Sequence, residues 1–215
     1  MSQATKVTVI GKGNVGGNLG VRISNAGYAV RFGVRKADEA ADVLARCAKD
    51  ATASDTAAAA AWGDVVFLAV PASAAVEVAR SLAPKLSGKV VVDCNNPLTW
   101  KDGPVWAPPA EGSLAAAIAH AAPGARVVKA FNTFGAEFHG DPSIKGGRAE
   151  VFIAGDDAAA KQLVSSVAEG SGFAPVDAGP LRNAAVLENL AMLWIHLATV
   201  GGQGREFTFT MAKRG

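Results

Sequence analysis

The glycine-rich stretch Gly11-Lys12-Gly13-Asn14-Val15-Gly16 directly follows the apolar run Lys6-Val7-Thr8-Val9-Ile10. That order restricts what the chain can become. The run reads as a buried parallel strand, and beyond the glycines Leu19, Ile23 and Ala26 recur at helical spacing until Gly27 ends the pattern. A strand, a glycine turn and a helix in that order form the cradle of a dinucleotide pyrophosphate. Gly11 takes the tight-turn dihedrals, Gly13 lets the backbone approach the phosphates, and Gly16 lets the helix pack on the strand. The free N–H groups of Asn14, Val15 and their neighbours then face the anion at the positive end of the helix.

The rest of the chain supports that start. Apolar strand-like runs recur at Tyr28–Phe32, Asp64–Val70, Lys89–Cys94, Arg126–Phe131, Glu150–Ala154 and Ala174–Ala178, with helix-like segments between most of them. Such alternation predicts an α/β fold: a Rossmann-type, doubly wound, mostly parallel sheet with a small C-terminal α/β extension. Pro71 suits the start of a helix over Ala72–Leu82, and Asp156-Asp157 suits the start of one over Ala158–Glu169. Thr56–Ala61 reads as plain helix, and Leu181–Val200 as a long one. Pro142 and Gly146-Gly147 mark a joint, dividing the chain into a nucleotide-binding domain (1–139) and a smaller unit (140–215). Whether that unit is separate or extends the same sheet stays open. The stretch from Asn95 to Gly112 holds four prolines, Trp100 and Trp106, and reads as an irregular loop at the ligand edge.

Composition narrows function. A net charge of +2 without any basic run argues against a nucleic-acid partner, and Glu188, Asn189 and His196 interrupt the apolar segment Ala184–Val200, which argues against a membrane span. Cys47 and Cys94 lack metal-ligand spacing and fit buried thiols in a reducing cytoplasm. Met1-Ser2-Gln3-Ala4-Thr5 leads straight into the first strand, so no leader is expected.

Nucleotide choice is legible at the end of the second strand. An acid there would select NAD by binding the ribose 2′-hydroxyl, but this chain has Gly33-Val34-Arg35-Lys36. Arg35 offers a planar fork to phosphate oxygens and Lys36 adds charge, which points to NADP(H). The alternative is a solvated basic edge with Asp38 or Glu39 on the ribose, although both suit the start of the next helix. Lys12 could reach the pyrophosphate or solvent.

Several motifs together resemble the NADPH-dependent coenzyme F420 reductases (F420:NADP oxidoreductases) and their dinucleotide-binding relatives. They are Gly11–Gly16, Gly33–Lys36, Phe67-Leu68-Ala69-Val70-Pro71, Asp93-Cys94-Asn95-Asn96-Pro97-Leu98, Val128-Lys129-Ala130-Phe131-Asn132-Thr133, Ala154-Gly155-Asp156-Asp157, and Asp177–Leu181 followed by Leu187-Glu188. The resemblance covers nearly the whole chain. It implies a nicotinamide across the strand ends at Val70, Pro71, Ala72, Asn96 and Thr133 to Ala136, with a deazaflavin stacked on it and a homodimer built partly on the C-terminal unit. One departure is Val34, where the family often has a hydroxyl before the arginine. The resemblance leaves the acceptor open between coenzyme F420 and an ordinary flavin, FMN or FAD.

Hydride transfer between two rings needs alignment and exclusion of water more than it needs a side-chain acid. The three histidines fit that: His120 and His196 lie in helices, and only His139 is near the ligand edge. Asn95, Asn96, Asn132 and Thr133 could contact the rings or simply close turns, and Glu188 reads as an ion-pair partner. Two other classes remain. A carbonyl or imine reductase would need a proton donor and, as a rule, a long helical C-terminal domain. An NADPH-binding redox-sensing module would need no catalytic group at all.

Overall fold

The computed structural model describes residues 5–48 and 50–214, so the expectation for Met1–Ala4 lies outside the described residues. In chain order the elements are β1 (Lys6–Ile10), α1 (Asn14–Asn25), β2 (Ala29–Val34), α2 (Ala41–Leu44), β3 (Thr52–Asp55), α3 (Thr56–Trp62) and β4 (Val65–Leu68). Next come α4 (Ala72–Leu86), β5 (Val90–Asp93), β6 (Leu98–Trp100), β7 (Pro104–Trp106), α5 (Leu114–Ala121) and β8 (Arg126–Lys129). Last come α6 (Ala136–Gly140), β9 (Ser143–Ile144), β10 (Gly147–Arg148), β11 (Glu150–Gly155), α7 (Ala158–Gly170), β12 (Ala174–Asp177) and α8 (Ala184–Thr199).

Eight strands form one sheet in the order β12-β11-β8-β5-β4-β1-β2-β3. Every neighbouring pair is parallel except β11 and β8, which meet antiparallel with Ala154 opposite Lys129. This α/β, doubly wound, mostly parallel sheet is the expected class. The strands β11 and β12 carry the same sheet onward, which answers the question the sequence left open.

Strand periodicity sorts the core into two layers. In β4, Val65 and Phe67 join the layer containing Leu19 and Ile23 of α1 and Val164 of α7, whereas Val66 and Leu68 join Ala75 and Ala79 of α4 and Ile118 of α5. Both layers are apolar because the sheet is covered on both faces. Ala26, expected on the buried stripe of α1, is instead its exposed C-cap, and Gly27 follows at φ +92°. The carboxylate of Asp157 caps α7, accepting from the Ala160 N–H at 2.7 Å.

Two expectations need correction, and one strand was not anticipated. The proline-rich stretch is not wholly irregular: β6 and β7 pair as an antiparallel hairpin with Leu98 opposite Trp106. Its turn is made by Asp102 (φ +53°) and Gly103 (φ +152°), and Pro104 begins a strand, where no N–H is required. Thr52–Asp55, too short and polar to show a pattern, forms the edge strand β3. The helix after Pro71 runs to Leu86 with Pro84 inside it.

Candidate functional site

The parallel strands end on one edge, and the chain's glycine and basic motifs all lie there. Strand order reverses between β1 and β4, since β1 leads outward to β2 and β3 before the chain returns as β4. A crevice opens at such a switch point, outside the carboxyl ends of the strands. Here it is a cleft of about 550 Å³ lined by Ile10, Gly11, Lys12, Gly33, Val34, Arg35, Glu39, Thr56, Val70, Pro71, Ala74 and Val78.

The glycine turn has the shape its sequence requires. Gly11 sits at φ +103°, and a Cβ on it would collide with the Ala69 carbonyl after β4. Gly16 packs against the backbone of Gly11, so a side chain there would force the helix off the turn. Gly13 differs: a Cβ on it would meet nothing within 4 Å. It caps α1, whose first turn carries no acid, so free N–H groups face open space beside the cleft. This is a cradle an anionic pyrophosphate fits.

Arg35 reaches into solvent with its side chain 90% exposed, its Nε 3.9 Å from the Glu39 carboxylate. Lys36 is exposed beside it. Asp38 and Glu39 do fall in the 3-10 turn Ala37–Ala40 that precedes α2, but Glu39 also lines the cleft. Lys12 is neither on solvent alone nor free: its Nζ pairs with Asp42 at 3.0 Å, and that contact holds the Asp42 carboxyl below its ordinary range.

Of the sequence-predicted site residues, Gly11, Lys12, Val34, Arg35, Val70 and Pro71 line this cleft, with Gly13, Asn14, Val15 and Gly16 in the turn beside it. Ala72 opens α4 next to Pro71. Asn96, Thr133 and Ala136 lie farther along the same edge, past β5 and β8. Four inter-strand steps separate β2 from β8, roughly 19 Å at about 4.8 Å each. Thr133 is buried, and Ala136 is half-buried with its carbonyl accepting from Asn18 of α1 at 3.1 Å.

The asparagines close turns. Asn96 Nδ2 donates to the Asn132 carbonyl at 2.8 Å, while Asn132 Nδ2 donates to Asn96 Oδ1 at 2.9 Å and to the Leu187 carbonyl at 3.1 Å. Asn95 Nδ2 donates to the Leu68 carbonyl and to Asp93. His139 is buried against the Phe131 carbonyl (2.9 Å), and its burial pushes the imidazole down to about 4.

Beneath this edge is a group the sequence did not announce. Lys129, fully buried at the end of β8, donates to Asp93 at 2.8 Å, to Glu188 at 2.9 Å and to the Asn95 carbonyl. Glu188 accepts further from the Leu114 N–H and the Trp106 indole N–H, each at 2.9 Å. Two signals were present, a lysine inside the apolar run Arg126–Phe131 and Glu188, expected as an ion-pair partner, but neither named the other. Thr56 was missed as a cleft residue, and Glu39, weighed only as the alternative ribose ligand because it suits a helix start equally well, lines the cleft beside Arg35.

Among the described residues no group of His, Cys, Asp or Glu could hold a metal ion, and no helix is long and apolar enough to cross a membrane.

The family model for the coenzyme F420-dependent NADP oxidoreductases matches residues 6–97. The F420-dependent NADP reductase of Methanothermobacter marburgensis is 31% identical over 211 residues, covering 89% of this chain and 92% of that protein. The metalloreductase STEAP3 of Rattus norvegicus is 32% identical over 191 residues and 88% of this chain, which spans 37% of that protein's length. A crystal structure from Arthrobacter sp. FB24, described as a candidate F420-dependent NADP reductase, superposes with a TM-score of 0.86 at 30% identity, covering 97% of this chain and all of that one. With its glycine cradle and basic second-strand end, and with a match spanning nine-tenths of a reductase, this chain belongs to the coenzyme F420-dependent NADP oxidoreductase family and is an NADP-dependent oxidoreductase.

Proposed function

We propose that the protein transfers a hydride between NADP(H) and a deazaflavin, coenzyme F420, bound over the strand ends past Val70. The observation that carries this is the cleft, with a pyrophosphate cradle at Gly11–Gly16, Arg35 and Lys36 on one side of it, and the amides of Asn95, Asn96 and Asn132 farther along the same strand-end edge. The relatives named for F420-dependent NADP reduction support the choice of acceptor.

A dihydronicotinamide bound there would supply the chemistry, two electrons and a proton leaving together as hydride for a ring carbon of the acceptor, whose ring nitrogen would take one further proton from solvent. The residues of this chain bind and align. Arg35 and Lys36 hold the 2′-phosphate, the α1 N-terminus holds the pyrophosphate, and the edge at Val70, Asn96 and Thr133 to Ala136 orients the ring. Asn96, Asn132 and Thr133 offer amides and a hydroxyl at that edge, and the acid beside it, Glu137, is paired with Arg205 at 2.6 Å, an arrangement that suits hydride transfer better than a carbonyl or imine reductase.

Deuterium tracing tests the reaction. NADPH labelled at C4 should place its label on the deazaflavin ring carbon. Label appearing only in water, or transfer to FMN and not to the deazaflavin, contradicts the assignment.

The working form we propose is a homodimer in the cytoplasm. Val186, Leu193 and Val200 are exposed at seven-residue spacing along α8, a seam that a second copy can match across a two-fold axis. Exposed Leu98, Trp100 and Val105 adjoin it on the hairpin that packs against α8. Leu193→Glu should convert a dimer to a monomer by light scattering; a monomeric wild type contradicts this form. Two unpaired thiols, Cys47 and Cys94, suit a reducing compartment.

A further inference from the structure

We infer that Lys129 and Glu188 are positioning residues for the nicotinamide end of the cleft, an inference that rests on NADPH occupying that cleft. Lys129 has three ammonium protons, and each has one acceptor: Asp93, Glu188 and the carbonyl of Asn95. The last of these holds the backbone of the Asn95–Asn96 turn from below. From the other side, Asp93 accepts from both the backbone N–H and the side-chain amide of Asn95, at 3.0 and 2.9 Å.

Glu188 passes this constraint to the rest of the molecule. It sits on α8 with Lys129 on one oxygen and the Trp106 indole on the other, joining the β6–β7 hairpin to the strand ends. Its neighbour Leu187 accepts from Asn132, which in turn holds Asn96. Two consecutive residues of α8 therefore fix the amide-lined turn that follows β5 and the one that follows β8.

Burial of this cluster is a poor way to gain stability, because an apolar group of similar volume would serve as well or better. The ionic part of the network, Lys129 with Asp93 and Glu188, has every donor and both carboxylates engaged, and such a network specifies one geometry, while the Asn132 Oδ1 at its rim is buried without a partner. Its place, directly under the strand ends where a ring must lie at reacting distance, gives that geometry a use.

The test uses Glu188→Gln and Trp106→Phe, which break the same bond from opposite ends. The glutamine retains an oxygen for Lys129 and Leu114 but presents an amide N–H to the indole. Loss of the bond is read from Trp106 emission in Glu188→Gln. In both variants, affinity for 2′,5′-ADP, which occupies the Arg35 end alone, should stay within about twofold of wild type. Fluorescence of bound NADPH should lose the enhancement of an immobilised ring, and kcat should fall roughly 10- to 100-fold with little change in the KM for NADPH. Wild-type NADPH fluorescence and kcat in both variants, with the Trp106 bond demonstrably broken, would overturn the inference. A failure of the nucleotide reading looks different: wild type itself would not bind 2′,5′-ADP, and the inference would fall with it.

Discussion

Arg35 and Glu39 face each other at the rim of one cleft, Nε 3.9 Å from the carboxylate, so the residue proposed to bind the 2′-phosphate already has a competing acid beside it. The pair is exposed on the arginine side and stabilises the fold little. Its consequence is for binding. Arg35→Ala should weaken NADPH binding about 30- to 150-fold, the loss of a charge-assisted partner of ~2–3 kcal/mol, and leave NADH nearly unaffected. Glu39→Gln should act in the opposite sense, tightening NADPH by roughly two- to fivefold. Isothermal titration of both variants with both nucleotides checks the signs.

Gly11 and Gly13 should fail differently. Alanine at 11 must adopt φ +103° and collide with the Ala69 carbonyl, so it should cost about 1–3 kcal/mol of stability or more. Alanine at 13 meets nothing in the protein, and its φ of −64° is ordinary, so stability should change by less than about 1 kcal/mol. Its methyl group would still occupy the phosphate's space, weakening NADPH by roughly tenfold or more. Thermal melts with and without NADPH separate the two effects.

Lys129→Met leaves Asp93 and Glu188 buried together without their cation. Breaking a buried pair from one side costs about 3–5 kcal/mol. For a chain of this length that lowers Tm by roughly 6–20 °C. A melting temperature unchanged from wild type would show that the buried cluster is not formed as described.

His139 makes stability depend on acid. Unfolded, its imidazole takes up a proton near 6.5, whereas burial keeps it neutral in the fold down to about 4. Between those values the unfolded state binds more protons, so stability is intact above pH 6.5, declines as pH falls toward 4 and levels off below. The full loss is about 3 kcal/mol. His139→Asn should flatten the slope of denaturation midpoint against pH in that window; an unaltered slope contradicts the burial effect.

Much of this was readable from the chain, for reasons specific to the residues. The glycine turn and the Asp157 cap are local, so their meaning is contained in a few neighbouring positions. The hairpin Leu98–Trp106 was not readable because three-residue strands with a proline at one start give no periodicity. The Lys129 cluster was not either: Asp93 is 36 residues away and Glu188 is 59, and only the closing of β5 and β8 against α8 brings them together. A lysine in an apolar strand signals a buried partner but does not say which. Glu39 shows the reverse case: both places the sequence allowed it, a helix-start acid and a wall of the cleft, hold at once, because the 3-10 turn that carries it lies at the cleft rim.

The measurement that bears most directly on the account is a stopped-flow mixture of wild-type protein, oxidised coenzyme F420 and NADPH, with NADH in parallel. The account predicts rapid bleaching of the deazaflavin with NADPH and at least about 30-fold slower bleaching with NADH. Absence of bleaching while NADPH is demonstrably bound would contradict the deazaflavin as acceptor, and equal rates with the two nucleotides would contradict the role of Arg35.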